Sequence, residues 1–499
     1  MKVKQLSFDI VIVGSGAGGG TVAKELSDLC KQGVKIALLE LGPRFSRADN
    51  TREELPMAQQ YYFNNGGFQT ATQDMTLAFA KGVGGSTNVY TGVTFKIPET
   101  AISKWNVPGI TLSDLDPRMD KYIKENNVHF EKEENINKNN RLFKKGCETL
   151  GWHVDQFPIN TKNCKGFNTC NLGCPAHAKQ GTARVQIPLA ENNGVVVIPN
   201  CKVDKIEDGD ILASISDEVS KNDNDRVCSI NYRISAKKII LSAGAINSPA
   251  ILMRSFGKRF NPAIGRYLTV HPALIMAADH DDEVNGMQGP PKNYYSDEFV
   301  ESDRFLLESC MYFPFSFAKN LVGFGPEPDE LMQRYSHLQM TLVLALDDAH
   351  KHNRVTIDKN GDSVVHYKID KKLQKTFIKA LKSCAELVFA AGARRAHLPG
   401  TGKFFITPKD LDNIDNVINK RHFKLGQVAI NSAHLMGGCK MGDNKNSSVT
   451  NSWGKVHGFD NLYVADASLF PSCSEVNPYL TIMALADRVA EGIKKEMAP

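Results

Sequence analysis

One stretch at the start of the chain narrows the possible folds more than any other. Asp9-Ile-Val-Ile-Val13 is a short, β-branched apolar run, the pattern of a strand buried on both faces. Gly14-Ser-Gly16-Ala-Gly18-Gly19 follows at once, then helical spacing from Thr21 to Cys30, then a second apolar strand from Val34 to Leu39. Glu40 closes that second strand. Strand, glycine turn, helix, strand and distal acid in this order describe a dinucleotide-binding unit. Gly14 permits the tight turn, Gly16 lets backbone approach a pyrophosphate, and Gly19 allows the helix to pack close to the strand. The helix start offers free N–H groups to phosphate, and a carboxylate at Glu40 suits the hydroxyls of an adenosine ribose. The motif does not separate NAD from FAD.

Composition excludes several other classes. At 499 residues the chain is long enough for two or three domains with large cores, without disulfide or metal staples. Sixty Lys and Arg against 55 Asp and Glu leave a net charge of +5, too mild for a nucleic-acid footprint. No apolar stretch approaches the roughly 18 residues that span a bilayer, so no integral membrane segment is expected. Eleven cysteines, an odd number, argue against a disulfide framework. With no secretory pattern at the N-terminus, the expected location is the cytoplasm, the alternative being export with a partner subunit.

Further along, Lys81 to Val93 (KGVGGSTNVYTGV) is a second glycine cluster in a loop. Residues 196–246 read as several strands ending in Lys238-Ile-Ile-Leu-Ser-Ala-Gly244, with a helix near Asn247 to Arg254. Residues 276–425 change character: aromatic-rich strands at Phe305–Phe317, His337–Leu346 and Ser363–Ile369 surround one long helix, Lys371–Ala391. The end returns to the opening style, with a strand Leu462–Asp466 and a helix from Pro478 to about Lys495.

Taken together these segments resemble the glucose–methanol–choline (GMC) oxidoreductases. The resemblance rests on GSGAGG with Glu40, GVGGST at 82–87, SAGAINSPAIL at 242–252, IGRYLTVHP at 264–272, HLMGGCKMG at 434–442 and LYVADASLFPSCSEVNPYLTIMALADR at 462–488. It implies an α/β fold: a Rossmann-like FAD-binding domain with an inserted α+β substrate domain built on an antiparallel sheet. The boundaries expected are 1–275 for FAD binding, with a cysteine-rich loop near 160–180, 276–425 for substrate, and 426–499 returning to the FAD domain with the catalytic residues. It implies FAD, held noncovalently, since no histidine lies in the GGSTNVY loop. Gly14, Gly16 and Gly19 would line the pyrophosphate and Glu40 the ribose. Gly84, Gly85 and Ser86 would pass beside pyrophosphate and isoalloxazine, and Val203 would meet the adenine. Asp466 would sit near the ribityl chain, and Pro478 by the pyrimidine edge of the flavin.

His434 and Asn477 match the two positions that carry chemistry in this family. Oxidising an alcohol at carbon moves a hydride to flavin N5 while the hydroxyl proton leaves. A neutral imidazole suits that proton, and an amide can hydrogen-bond the substrate oxygen without titrating. Asn477-Pro478 also reads as an N-cap followed by proline at the first helical position. His271, His177 and His457 read as structural.

Cys164-Lys-Gly-Phe-Asn-Thr-Cys170-Asn-Leu-Gly-Cys174 places three thiols in one Gly/Asn-rich loop. The loop resembles that of iron–sulfur sugar dehydrogenases of the family, which implies Cys164, Cys170 and Cys174 as ligands of a [3Fe-4S] cluster. It also resembles the loop of long-chain alcohol and sterol oxidising members, which implies no cluster; reduced structural thiols and a zinc site completed by His177 are the alternatives. The expected activity is oxidation of a CH–OH group in a small-molecule alcohol, polyol or sugar, with electrons passed to a non-oxygen acceptor such as an acceptor subunit or cytochrome. Its rivals are an oxidase using O2, a redox-neutral relative, and a non-enzymatic flavoprotein.

Overall fold

The computed structural model describes residues 3–216, 229–257, 260–321, 323–400, 402–424 and 426–497; Cys228 lies outside them. The opening apolar run becomes a strand, Lys4–Val13, whose last four residues are fully enclosed. It pairs in parallel with Ile36–Leu39 on one side and with Ser229–Leu241 on the other. Val196–Ile198 extends the sheet beyond Ile36–Leu39, also in parallel. The long strand Ser229–Leu241 serves two partners. Its first half pairs antiparallel with Asp210–Ser216, and its last residues pair in parallel with Leu462–Val464. Cys201–Glu207 completes a seven-stranded sheet of described residues.

The helix Ala17–Leu26 lies on this sheet at almost backbone contact. A Cβ at Gly19 would stand 1.8 Å from the Gly14 carbonyl oxygen, and one at Gly18 1.9 Å from that of Ala465. Only glycine permits that approach. The helix also packs on Gln186–Asn192 and on the C-terminal helix Tyr479–Met497, so the first and last segments of the chain share one core.

A second, ten-stranded sheet carries the other large core. Its centre is Ala273–Asp279, Leu338–Ala345 and Phe305–Cys310, antiparallel and buried on both faces. Lys371–Ala390 and Lys138–Leu150 pack together against it. Strands from both ends of the chain join this sheet: Met75–Leu77 pairs with Ile430–Ser432, which pairs with Ala273–Asp279. Asp155–Gln156 pairs with Tyr294–Ser296 at the far edge.

The strand expected over Phe305–Phe317 stops at Cys310, and Pro314–Ala318 is a short helix. Pro314 cannot donate to a sheet ladder but fits a first helical turn. The free N–H groups of Phe315 and Ser316 are taken by the Glu54 carboxylate at 2.8 and 2.6 Å, a cap brought in from far along the chain.

Candidate functional site

Val13, Leu39, Leu241 and Val464 end at the same edge of the parallel sheet, the edge where such folds open a ligand crevice. A cleft of about 620 Å³ runs from there to the second sheet. Gly14, Gly16, Glu40, Gly85, Ser86, Val203, Asp466, Pro478, His434 and Asn477 all line it. Gly19 and Gly84 do not. Gly19 acts from behind, through the helix contact above. The Gly84 N–H donates to Ser15 Oγ at 2.9 Å, one layer back from the cleft wall.

The glycine turn fits a phosphate-bearing ligand. Gly14 has φ +97°, and a Cβ there would meet the Ser242 carbonyl oxygen at 2.3 Å. At Gly16 a Cβ would meet no protein atom within 4 Å. The space above Gly16 is therefore the cleft itself, opening at the start of the Ala17–Leu26 helix. Glu40 is buried with its carboxylate already satisfied. Oε2 accepts from Ser15 N and Oγ at 3.0 and 2.6 Å, and Oε1 from the N–H groups of Gly42 and Gly82 at 3.0 Å each. In this structure Glu40 clamps the two glycine loops together, and a ribose would share those oxygens with four donors. Asp466 is a similar clamp, accepting from the N–H groups of Gly244 and Ser468 and from Ser248 Oγ. Burial raises the pKa of both carboxyls, and these donors oppose it.

At the other end of the cleft, a short antiparallel ladder joins Thr269–Val270 to Leu435–Met436. Its register sets His271 beside His434. Their Nδ1 atoms are 3.0 Å apart, with the rings edge to face at 84°. His434 Nε2 lies 3.2 Å from Asn477 Nδ2. The expected N-cap role of Asn477 is not what forms: its amide turns to His434, its Oδ1 has no partner, and the first helical bond runs from Ile482 N to Pro478 O. His271, read from sequence as structural, is thus a direct neighbour of the expected base. Nothing local to IGRYLTVHP signals this, because the contact depends on a ladder between segments more than 160 positions apart. Desolvation pushes the His271 pKa down to about 3, with repulsion from Arg304 adding to it. His434 is held well below the ordinary histidine range, first by desolvation and then by the positive charges of His271 and Lys292. Both rings are neutral at physiological pH.

His177 faces the Arg184 guanidinium at 2.7 Å, and His457 bonds Ser448 Oγ and the Gly442 carbonyl. Both serve loop structure. Cys164, Cys170 and Cys174 line one small pocket of about 20 Å³. Yet among the described residues no three His, Cys, Asp or Glu side chains are placed to hold a metal ion. The three cysteines do not fit the cluster their spacing implies, and the zinc set fails too, since His177 is committed to Arg184. Burial pushes the Cys170 thiol up to about 12. The loop is held instead by buried Lys179, which donates to the carbonyls of Asn88, Tyr90 and Cys170. Among the described residues no helix is long and apolar enough to cross a membrane.

A family model described as GMC oxidoreductase matches residues 9–273, and its C-terminal counterpart matches residues 349–486. An uncharacterised GMC-type oxidoreductase of Mycobacterium tuberculosis is 29% identical over 493 residues, covering 97% of this chain and 75% of its own. A long-chain-alcohol oxidase of Arabidopsis thaliana is 25% identical over 524 residues, covering 99% and 68%. Among solved structures, pyridoxine 4-oxidase from Mesorbium loti superposes with TM-score 0.72 at 16% identity, covering 98% of this chain and 99% of that one. A formate oxidase superposes with TM-score 0.73 at 14% identity, covering 99% of each. These last two show a shared fold.

Proposed function

The chain belongs to the GMC oxidoreductase family, and from that premise we propose that it oxidises a CH–OH group of a small-molecule alcohol, with FAD in the cleft and His434 as the base. Gly16, Gly85, Ser86, Val203 and the helix start at Pro478 would hold FAD, whose isoalloxazine supplies the hydride acceptor. The chain's own residues supply the proton chemistry. With Asn477 Nδ2 donating to it, His434 Nε2 is the unprotonated ring nitrogen, its lone pair taken by that amide N–H, and the ring proton sits on Nδ1. That Nδ1–H then donates to His271 Nδ1. An alcohol hydroxyl arriving at Nε2 takes the place of the amide N–H on that lone pair, and Asn477 Nδ2 then donates to the hydroxyl oxygen and holds it in place.

The observation that carries this reading is the His271–His434–Asn477 chain at one end of a cleft whose other end is a glycine-rich phosphate cradle. The test is anaerobic mixing of the flavin-loaded protein with alcohols, following loss of flavin absorbance. His434→Ala should slow that loss by about 10²–10⁴-fold with the flavin still bound; an unchanged rate removes His434 as base. The electrons would pass to an acceptor other than oxygen, the first reading. Similarity to proteins named as oxidases favours molecular oxygen as the second reading. Turnover with a dye under nitrogen, compared with peroxide formation in air, separates the two.

A further inference from the structure

The cleft has two chemically distinct ends. Charged side chains line the nucleotide end, among them Glu40, Lys202, Arg254 and Asp362. The lining residues next to His434 and Asn477 in the chain, Ala433, Leu435, Pro478, Tyr479 and Ile482, carry no charge. We propose that the substrate is an uncharged alcohol with an apolar tail, its hydroxyl at His434 and its tail against Phe63, Phe68 and Phe79. The proposal rests on the reading of His434 as the reacting end.

The wall is built as a unit. Phe63 and Phe79 stack with centroids 4.5 Å apart, and Phe68 meets Phe79 edge-on at 5.2 Å. The Phe63 N–H donates to the Phe79 carbonyl at 3.1 Å, tying the two strands of chain together. All three rings are half-buried and line the cleft. The chain between Phe63 and Phe68 is a tight turn in which Asn64, Asn65 and Gly66 take φ of 47°, 56° and 79°, and asparagine and glycine tolerate that region best. Asn64 is exposed and also lines the cleft, so the turn is the rim and the aromatic wall leads outward from His434 to solvent.

Polar groups at this end are mostly occupied. Tyr90 and Tyr479 line it, but Asn160 Nδ2 donates to the Tyr90 hydroxyl and Asn126 Nδ2 to that of Tyr479 at 2.9 Å. Lys292, the cation whose charge reaches His434, is buried against the Glu308 carboxylate, so it is no free counter-charge for an anionic substrate. His434 Nε2 as acceptor and Asn477 Nδ2 as donor can serve one hydroxyl, and Thr91 and Asn64 remain. A hexose brings several more hydroxyls, and each one buried without a partner loses roughly tenfold in affinity. A tail lying on aromatic rings gains with every methylene removed from water.

The experiment uses the flavin-loaded enzyme and two readouts. In anaerobic flavin reduction, kcat/KM for 1-alkanols from ethanol to decanol should rise by about fourfold per methylene, about 0.8 kcal/mol each, until the tail clears the Asn64 rim. In calorimetry, 2-methyl-2-nonanol, which has no hydrogen on its carbinol carbon to transfer, should bind at least a hundredfold tighter than tert-butanol. Phe79→Ala, with Phe63→Leu as a milder second variant, should cut the octanol-to-ethanol ratio of kcat/KM by at least tenfold. A flat chain-length series, glucose outcompeting octanol, or equal binding of the two tertiary alcohols overturns the proposal. Tighter binding of the longer tertiary alcohol with no flavin reduction by any primary alcohol upholds the apolar end and overturns His434 as the reacting site.

Discussion

Replacing His271 with leucine should slow flavin reduction without emptying the site. In the structure His271 Nδ1 is the acceptor available to His434 Nδ1–H, at 3.0 Å; His271 is enclosed by protein and His434 is half-buried in the cleft wall with that Nδ1 turned inward. Leucine leaves that N–H buried without a partner. Leaving a buried donor unsatisfied costs about 1–3 kcal/mol, and that cost falls on the one tautomer whose Nε2 can take a proton. At about 1.4 kcal/mol per tenfold, the reactive population drops by roughly 5- to 150-fold. The assay is stopped-flow anaerobic reduction at saturating alcohol, with flavin content and melting temperature measured beside it. His271→Asn offers an amide oxygen close to where Nδ1 sat and should recover most of the rate. A leucine variant within twofold of the parent, or an asparagine variant as slow as leucine, would refute His271 as the residue that sets the tautomer.

Two glycines in one turn should fail in opposite ways. Gly19→Ala places a Cβ 1.8 Å from the Gly14 carbonyl oxygen and should lower stability by about 1–3 kcal/mol or more, read as a drop in melting temperature, whereas Gly16→Ala, with no atom within 4 Å, should fold normally and lose flavin per chain. Between pH 7 and 5.5 the holoenzyme should lose about 1 kcal/mol of stability for each of His271, His397 and His434. Burial holds all three below the ordinary histidine value, so the unfolded chain binds protons there that the folded one refuses; Asp347, raised to about 6, returns less than one such increment. Urea midpoints unchanged across that range would contradict this sign. Glu308→Ala leaves buried Lys292 without its anion and should cost about 3–5 kcal/mol, while the double change Glu308→Leu with Lys292→Met costs less. Cys164→Ser, at an exposed thiol, should leave electron transfer to a dye within twofold, and loss of dye turnover would restore the cysteine loop as a relay.

The turn at Gly14–Gly19 was legible because every requirement on it is local. A positive φ, a missing Cβ and a helix start are properties of a few consecutive residues, and the strands flanking them repeat a short apolar pattern. His434 and Asn477 were legible through resemblance, and the structure brings them within 3.2 Å although 43 positions separate them. The same reading misjudged Asn477 as a helix cap, since a capping sequence does not say whether the amide will find a better partner across the cleft. It also held a three-cysteine cluster as one of three alternatives, through a resemblance of the loop, while thiol placement depends on how Lys179 pins the loop to Asn88 and Tyr90.

By itself, then, the amino-acid order determined the elements: which runs are strands, where the phosphate-facing turn lies, and which residue types reach the cleft. Tertiary structure alone decided the pairings. His271 meets His434 through the register of a two-stranded ladder, Phe63 stacks on Phe79 across a turn, and Lys292 is neutralised by Glu308 from a neighbouring strand. Backbone preferences act over a few residues and leave a periodic trace in the chain. Contacts between distant segments arise only when the cores close, and they set the protonation state of the base and the polarity of the space in front of it.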